Sequence, residues 1–159
     1  MNKTLQFYNY EQCFDHYSKR IMGIRQAKIN GEVIVAKPVL LLALIDGVED
    51  GEFTTNRFFL NEWLEKRYLV LMKQYTKHSQ FPNPADISNP FWHLHSDGFG
   101  HLNYPGERLS KGKTPSRKWL KENVDYAWFD DDLWILLQNI EWRHKLRDYI
   151  VENKLMNRI

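Results

Sequence analysis

The sequence predicts a mostly helical α+β domain, a winged-helix-like helical core carrying one β-hairpin. Three observations carry that prediction. From Val39 to Ile45 every residue is apolar, and a helix apolar on all sides must be surrounded by protein, so this run is the central core helix. Amphipathic segments with apolar residues at helical spacing lie before and after it. PFWHLHSDGFGHLNYPG then reads as a hairpin, because both central positions of a two-residue turn favour φ > 0 and Asp97-Gly98 supplies them. Three helices followed by a hairpin is a helix-turn-helix plan with a wing, a class in which one helix can enter a groove.

Taken in order, the first helix runs from about Tyr10 to Ile24, with Phe14, Tyr17, Ile21 and Ile24 inward. Its end is basic (Lys19, Arg20, Arg25, Lys28), and Asn30-Gly31 marks a tight turn before the β-branched piece Val33 to Val35. Pro38 suits the first position of the central helix, and Gly51 stops it. Phe53 to Leu60 reads as an extended connector, and Asn61 caps a helix whose stripe is Leu64, Tyr68, Leu71 and Tyr75. Thr76 to Pro90 is loop. In the hairpin register set by Asp97-Gly98, Leu94 faces His101 and His93 faces Leu102. The stretch from Gly106 to Asn123 reads as flexible and basic. From Val124 the chain turns acidic and helical. Asp130 to Asp132 start one helix, and a last helix spans about Glu141 to Asn153.

At 159 residues the chain suits a single domain spanning 1–159, large enough for a real core. Its 14% aromatic content is read mainly as core filler. Cys13, the single cysteine, excludes an internal disulfide and a cysteine-rich zinc site. With no signal-peptide core at the N-terminus and no membrane-length apolar run, the expected location is the cytoplasm.

His93, His95 and His101 crowd the hairpin, but in its register His101 lies on the opposite face from the other two, and no carboxylate stands at ligand spacing. The plainer reading is half-buried histidines bonded to backbone, with no metal and no cofactor. No phosphate-cradling Gly-rich loop or nucleophile elbow is present. The sharper signal is electrostatic: residues 108 to 121 hold Arg108, Lys111, Lys113, Arg117, Lys118 and Lys121, with no acid inside the span. A solvated loop would explain this, and so would phosphate contacts on duplex DNA, with Lys19, Arg20, Arg25, Lys28 and Lys37 adding to the same surface where the fold brings them together. Trp119 within the stretch is read as an anchor to the core.

KPVLLLALIDGVEDGEFTTNRFFLNEWLEKRY, NPFWHLHSDGFGHLNY and SRKWLKENVDYAWFDDDLWILLQNIEWRHKLRDYIV, in that order, resemble the N-terminal domain of bacterial HNH-family restriction-type endonucleases. The resemblance spans about residues 36 to 151. It implies a DNA-binding half without its C-terminal HNH nuclease domain, acting beside a separate nuclease. The wider family is similar to the sulfur-binding domains that recognise phosphorothioate-modified DNA. In those, the residue pair before the core-helix proline and a Tyr-Pro step build an apolar sulfur pocket. The matching positions are Ala36, Lys37, Asn89 and Pro90, with His93 close by. Lys37 and Pro90 fit the pattern. Ala36 and Asn89 depart from it, and an amide replaces an aromatic wall.

The expectation is therefore a non-catalytic binder of double-stranded DNA. Lys37, Lys111, Lys113, Arg117, Lys118 and Arg25 meet phosphates, and Ala36, Asn89, Pro90 and His93 lie nearest a modified group. The alternatives are a protein-interaction or regulatory module of a defence system, and a residual metal-dependent nuclease built on the three histidines.

Overall fold

In a computed structural model of the chain, residues 9–80, 85–105 and 114–156 are described. Helix α1 (Tyr10–Met22) begins at Asn9, whose side chain accepts from the Gln12 N–H at 2.9 Å. Its inward face is Cys13, Tyr17 and Ile21, one residue per turn. Asn30 and Gly31 follow with φ of 53° and 81°, both positive as a tight hairpin turn requires. They join β1 (Lys28–Ile29) to β2 (Glu32–Val33).

Helix α2 (Ala36–Glu49) lies at the centre, and every residue from Val39 to Ile45 is at most 3% exposed. Around it pack α3 (Glu62–Thr76), α4 (Ser88–Trp92), α6 (Asp131–Gln138) and α7 (Ile140–Ile150), while α1 packs on α6 and α7. A helix apolar all round has no amphipathic face to set its rotation, so polar anchors do so. Asp46, buried in α2, accepts from Arg67 Nε and Nη2 at 2.8 and 2.6 Å and from Arg147 Nε at 2.7 Å. One turn on, Glu49 accepts from Arg143 Nε at 2.7 Å and lies 2.6 Å from His144 Nε2. The His144 hydrogen bond, followed by the Arg143 contacts, holds the Glu49 carboxyl below its usual range.

The class stands: α+β, mostly helical. The expected hairpin at residues 90–106 does not form. Its first limb is α4, which continues as a 3₁₀ turn over His93–Ser96. The buried residues there are Ile87, Ser88, Pro90, Phe91 and Leu94, the i, i+1, i+3, i+4, i+7 pattern of one helix face, so the period is helical. Asp97 has φ −105°, whereas the expected turn needs positive φ at both residues. The second limb, β3 (Gly100–Asn103), pairs antiparallel with β4 (Tyr126–Phe129), which puts His101 opposite Trp128 rather than Leu94. Phe58, in the expected extended connector, adds a bridge to Ala127.

Two further differences lie downstream. Residues read as flexible form α5 (Arg117–Asn123), started by Ser116, whose hydroxyl accepts from the Trp119 N–H at 3.1 Å. The stretch after Val124, read as helical, is strand β4 before α6 begins. Its YAWF alternates half-buried and buried, as a strand does. No helix among the described residues is long and apolar enough to cross a membrane.

Replacing Asp46 by Asn leaves two guanidinium groups at the core edge without a carboxylate. A loss of about 2 kcal/mol or more is expected, since stranding the partners of a part-buried ion pair costs more than the pair contributes. Urea unfolding checks this, with the midpoint falling at unchanged slope. Gly47→Ala is expected to destabilise as well, despite the gain in helix propensity. Its new Cβ would lie 2.4 and 2.6 Å from the Phe53 ring, an overpacking of about 1–3 kcal/mol.

Candidate nucleic-acid interface

The N-terminal turn of α2 meets the region around α4 at one edge of the domain, where the two helices pack together. Val35 offers no side-chain cap to α2, so capping does not occupy the helix entrance. Lys37 turns toward the end of the 3₁₀ segment, donating from Nζ to Asp97 Oδ2 at 2.8 Å and to Ser96 Oγ at 3.2 Å. The second Asp97 oxygen accepts from the Arg25 backbone N–H at 3.4 Å. Ser96 in turn donates to the His93 carbonyl at 2.7 Å. The segment after α1, the first turn of α2 and the 93–97 stretch are thus tied at one point.

Thr114 links two expected site residues on α4 and just after it. Its hydroxyl oxygen lies 3.1 Å from His93 Nε2 and accepts from Asn89 Nδ2 at 3.4 Å. The His93 ring stacks near-parallel on His95 at 6.4 Å. Burial, then the positive charges of Lys37 and His95, hold His93 below the usual imidazole range, and Asp97 opposes them weakly. An open pocket of about 320 Å³ reaches this edge, with Val35, Ala36, Met72, Ala85 and Asn89 among its walls.

Ala36, Lys37, Asn89 and His93 therefore come to one place, and Pro90 is buried within α4 beside them. Arg25 lies next to them, across Asp97. Of the basic residues downstream, those described lie on α5. Arg117, at the start of α5, is engaged by Glu65 at 3.3 Å and Asp86 at 3.4 Å, and Lys121 also reaches Glu65 at 3.0 Å. Lys118 is exposed on the same helix. Arg108, Lys111 and Lys113 lie outside the described residues.

Sequence reasoning missed Asp97, which was read as a turn residue, and Thr114, which no motif marks. It also missed an aromatic cluster: Trp92 lies 5.8 Å from Tyr104 and 5.9 Å from Trp119, near edge-on to both. Trp119 is the anchor it was read as, fastening α5 to α4.

The three histidines do not converge as the nuclease alternative requires. His101 lies on β3 against Trp128 and is 2.6 Å from Asp130, whose other oxygen accepts from the Tyr17 hydroxyl at 2.9 Å. Among the described residues no three His, Cys, Asp or Glu side chains gather as metal ligands. Cys13 is fully buried, and its thiol is pushed up to about 12 by burial and then by Asp132, which leaves it a packed side chain.

No protein-family model matches the chain, and no curated protein matches it. Among the solved structures that share its fold are two sulfur-binding-domain structures. The sulfur-binding domain of SprMcrA, complexed with phosphorothioated DNA, aligns with TM-score 0.66 at 18% identity, over 91% of this chain and 87% of that one. The sulfur-binding and SRA domains of ScoMcrA, also complexed with phosphorothioated DNA, align with TM-score 0.65 at 19% identity. That match covers 87% of this chain and 42% of the other. At such identities the likeness is one of fold.

The His93 environment has a consequence for stability against pH. Its folded-state pKa lies below the unfolded one, so the unfolded chain takes up the proton first as pH falls. The stability contributed by neutral His93 is present above the unfolded value and is lost on acidification. His93→Gln is expected to lose less stability than the parent between about pH 7 and pH 5, read from urea midpoints at each pH. Equal losses in the two proteins would exclude this role for His93.

Proposed function

We propose that this chain binds duplex DNA and reads a modified, phosphorothioate-type backbone at the edge where α2 meets α4. The observation that carries the reading is the convergence of Ala36 and Lys37 with Asn89, Pro90 and His93. It occurs in a fold shared with two domains solved on phosphorothioated DNA.

The chemistry suits a phosphate with one oxygen replaced. A non-bridging sulfur is soft and weakly hydrated, so it gains by resting on apolar atoms such as those of Ala36, Pro90 and the Lys37 stem. The remaining oxygen carries charge and favours a cation and the positive end of a helix, which Lys37 and the entrance of α2 supply together. Asn89 offers an amide in place of an aromatic wall, so selectivity would rest on Ala36 and Pro90. Lys118 and Arg117 on α5 would add outlying phosphate contacts, as would Lys111 and Lys113. The described residues supply recognition in this reading.

Fluorescence anisotropy on plain, methylated and phosphorothioate duplexes tests it. Binding is expected to weaken with salt, the log–log slope steepening by about 0.9 for each phosphate neutralised. The phosphorothioate duplex is expected to bind tightest, and Lys37→Ala to weaken all three. A flat salt dependence, or no binding at low salt, overturns the DNA reading in favour of a protein-interaction module. Equal affinity for plain and phosphorothioate duplexes removes the modified-backbone part alone.

A further inference from the structure

Beside this edge is a shallow cleft of about 430 Å³ between the end of α1, which precedes the resembling span, and the 96–98 loop within it. Its walls are Lys19, Arg20, Gly23 and Arg25 on one side, and Ser96, Asp97 and Gly98 on the other. Three cations thus face one carboxylate. Both oxygens of that carboxylate are already engaged, by Lys37 and by the Arg25 N–H.

Cations at the C-terminal end of a helix complement its dipole, and that alone would explain basic residues on the last turn of α1. It does not explain their direction. Arg20 reaches away from its own helix and across to Gly98, so closely that a Cβ on Gly98 would lie 2.8 Å from Arg20 Nη1. Gly98 has φ +87°, a conformation that side-chain-bearing residues rarely adopt. A loop residue without a side chain therefore lets the guanidinium lie over the loop backbone. Lys154 Nζ donates to the Met22 carbonyl at 2.9 Å, at the same end of α1.

We infer that this cleft is a second backbone-phosphate site, in which Lys19, Arg20 and Arg25 hold phosphodiesters of the same duplex strand that meets Lys37. The inference rests on the duplex-binding reading above and extends it to a surface of its own. Asp97 is the hinge of the arrangement. By bonding Lys37 and the Arg25 backbone together it fixes the two contact points side by side, and it keeps their cations from repelling one another while no DNA is bound. A run of adjacent phosphates then spans both, with specificity left to the Lys37 end, since phosphate contacts fix register without reading sequence.

The test is the salt dependence of plain-duplex binding for the wild type and for Lys19→Ala/Arg20→Ala, both exposed positions, with thermal melting as a check on folding. The double variant is expected to melt like the wild type and to show a log–log slope shallower by about 2, one unit per lost contact. A control, Lys66→Ala/Lys73→Ala on the outer face of α3, removes the same charge elsewhere and is expected to keep the wild-type slope. If the wild type binds no duplex, the functional reading and this inference fall together. If the wild type binds but the double variant keeps its slope, or the control loses as much, the cleft assignment alone falls. Inorganic phosphate titrated alone, followed at the Gly23 and Gly98 amides, is expected to leave them unmoved. A saturable shift there with no change of slope in the double variant assigns the cleft to a small free anion and overturns the duplex assignment.

Discussion

A single buried carboxylate sets the frame of this protein. Asp46 stands on a helix otherwise closed in by apolar side chains, and it draws in Arg67 from α3 and Arg147 from α7. Apolar burial supplies most of the driving force for placing α2 in the core, but it is non-directional and does not choose a rotation about the helix axis. Paired guanidinium–carboxylate bonds do choose one. With Glu49 held by Arg143 and His144 at one end and Lys37 held by Asp97 at the other, α2 is fixed in rotation and in height. Its entrance is therefore a rigid place on which to build.

That rigidity passes to the neighbouring elements. The helix at Ser88–Trp92 lies against α2, so Asn89, Pro90 and His93 keep their distance from Ala36 and Lys37 without a loop of their own to order. The strands β3 and β4 do a separate job: with the Phe58 bridge they close the far side and seat Phe99 and Phe129 in the core. The basic end of α1 joins the entrance through a carboxylate that belongs to neither helix. A positive surface of this kind needs such an internal counter-ion, because cations held side by side repel one another in the unbound protein.

Much of this was legible in the sequence, and the parts that were not share a cause. Helices α1, α2, α3, α6 and α7 follow from apolar spacing, and the cap at Asn61 is where its side chain suggested, accepting from the Leu64 N–H at 2.9 Å. Positions Ala36, Lys37, Asn89 and Pro90 were singled out by the resemblance to sulfur-binding domains and not by any local pattern. The segment at 90–104 was misread because Asp-Gly is a strong turn signal and a short apolar run fits two periods. Ile87, just outside the window, decides for the helix. Ser116 and the alternation of YAWF were visible signals for α5 and β4 that the high charge nearby obscured. Asp97 and Asp130 were beyond reach for another reason. Each was read by local rules, as turn or cap, but each is bonded to residues far away in the chain, Lys37 in one case and His101 and Tyr17 in the other. Local patterns carry no record of such pairings.

The same long-range bonds bear on how the molecule comes to be assembled. Tyr17 meets Asp130, Asp46 meets Arg147, and Lys154 meets the Met22 carbonyl, each across a hundred residues or more of intervening chain. The surfaces that α1 covers are those of α6 and α7, which leave the ribosome long after α1 does. Until they emerge, α1 and the central apolar helix have incomplete cover, and such exposed apolar segments are what chaperones bind. High sequence separation between partners also slows closure of the core. A fold organised around one enclosed helix must wait for α7 before that helix is enclosed.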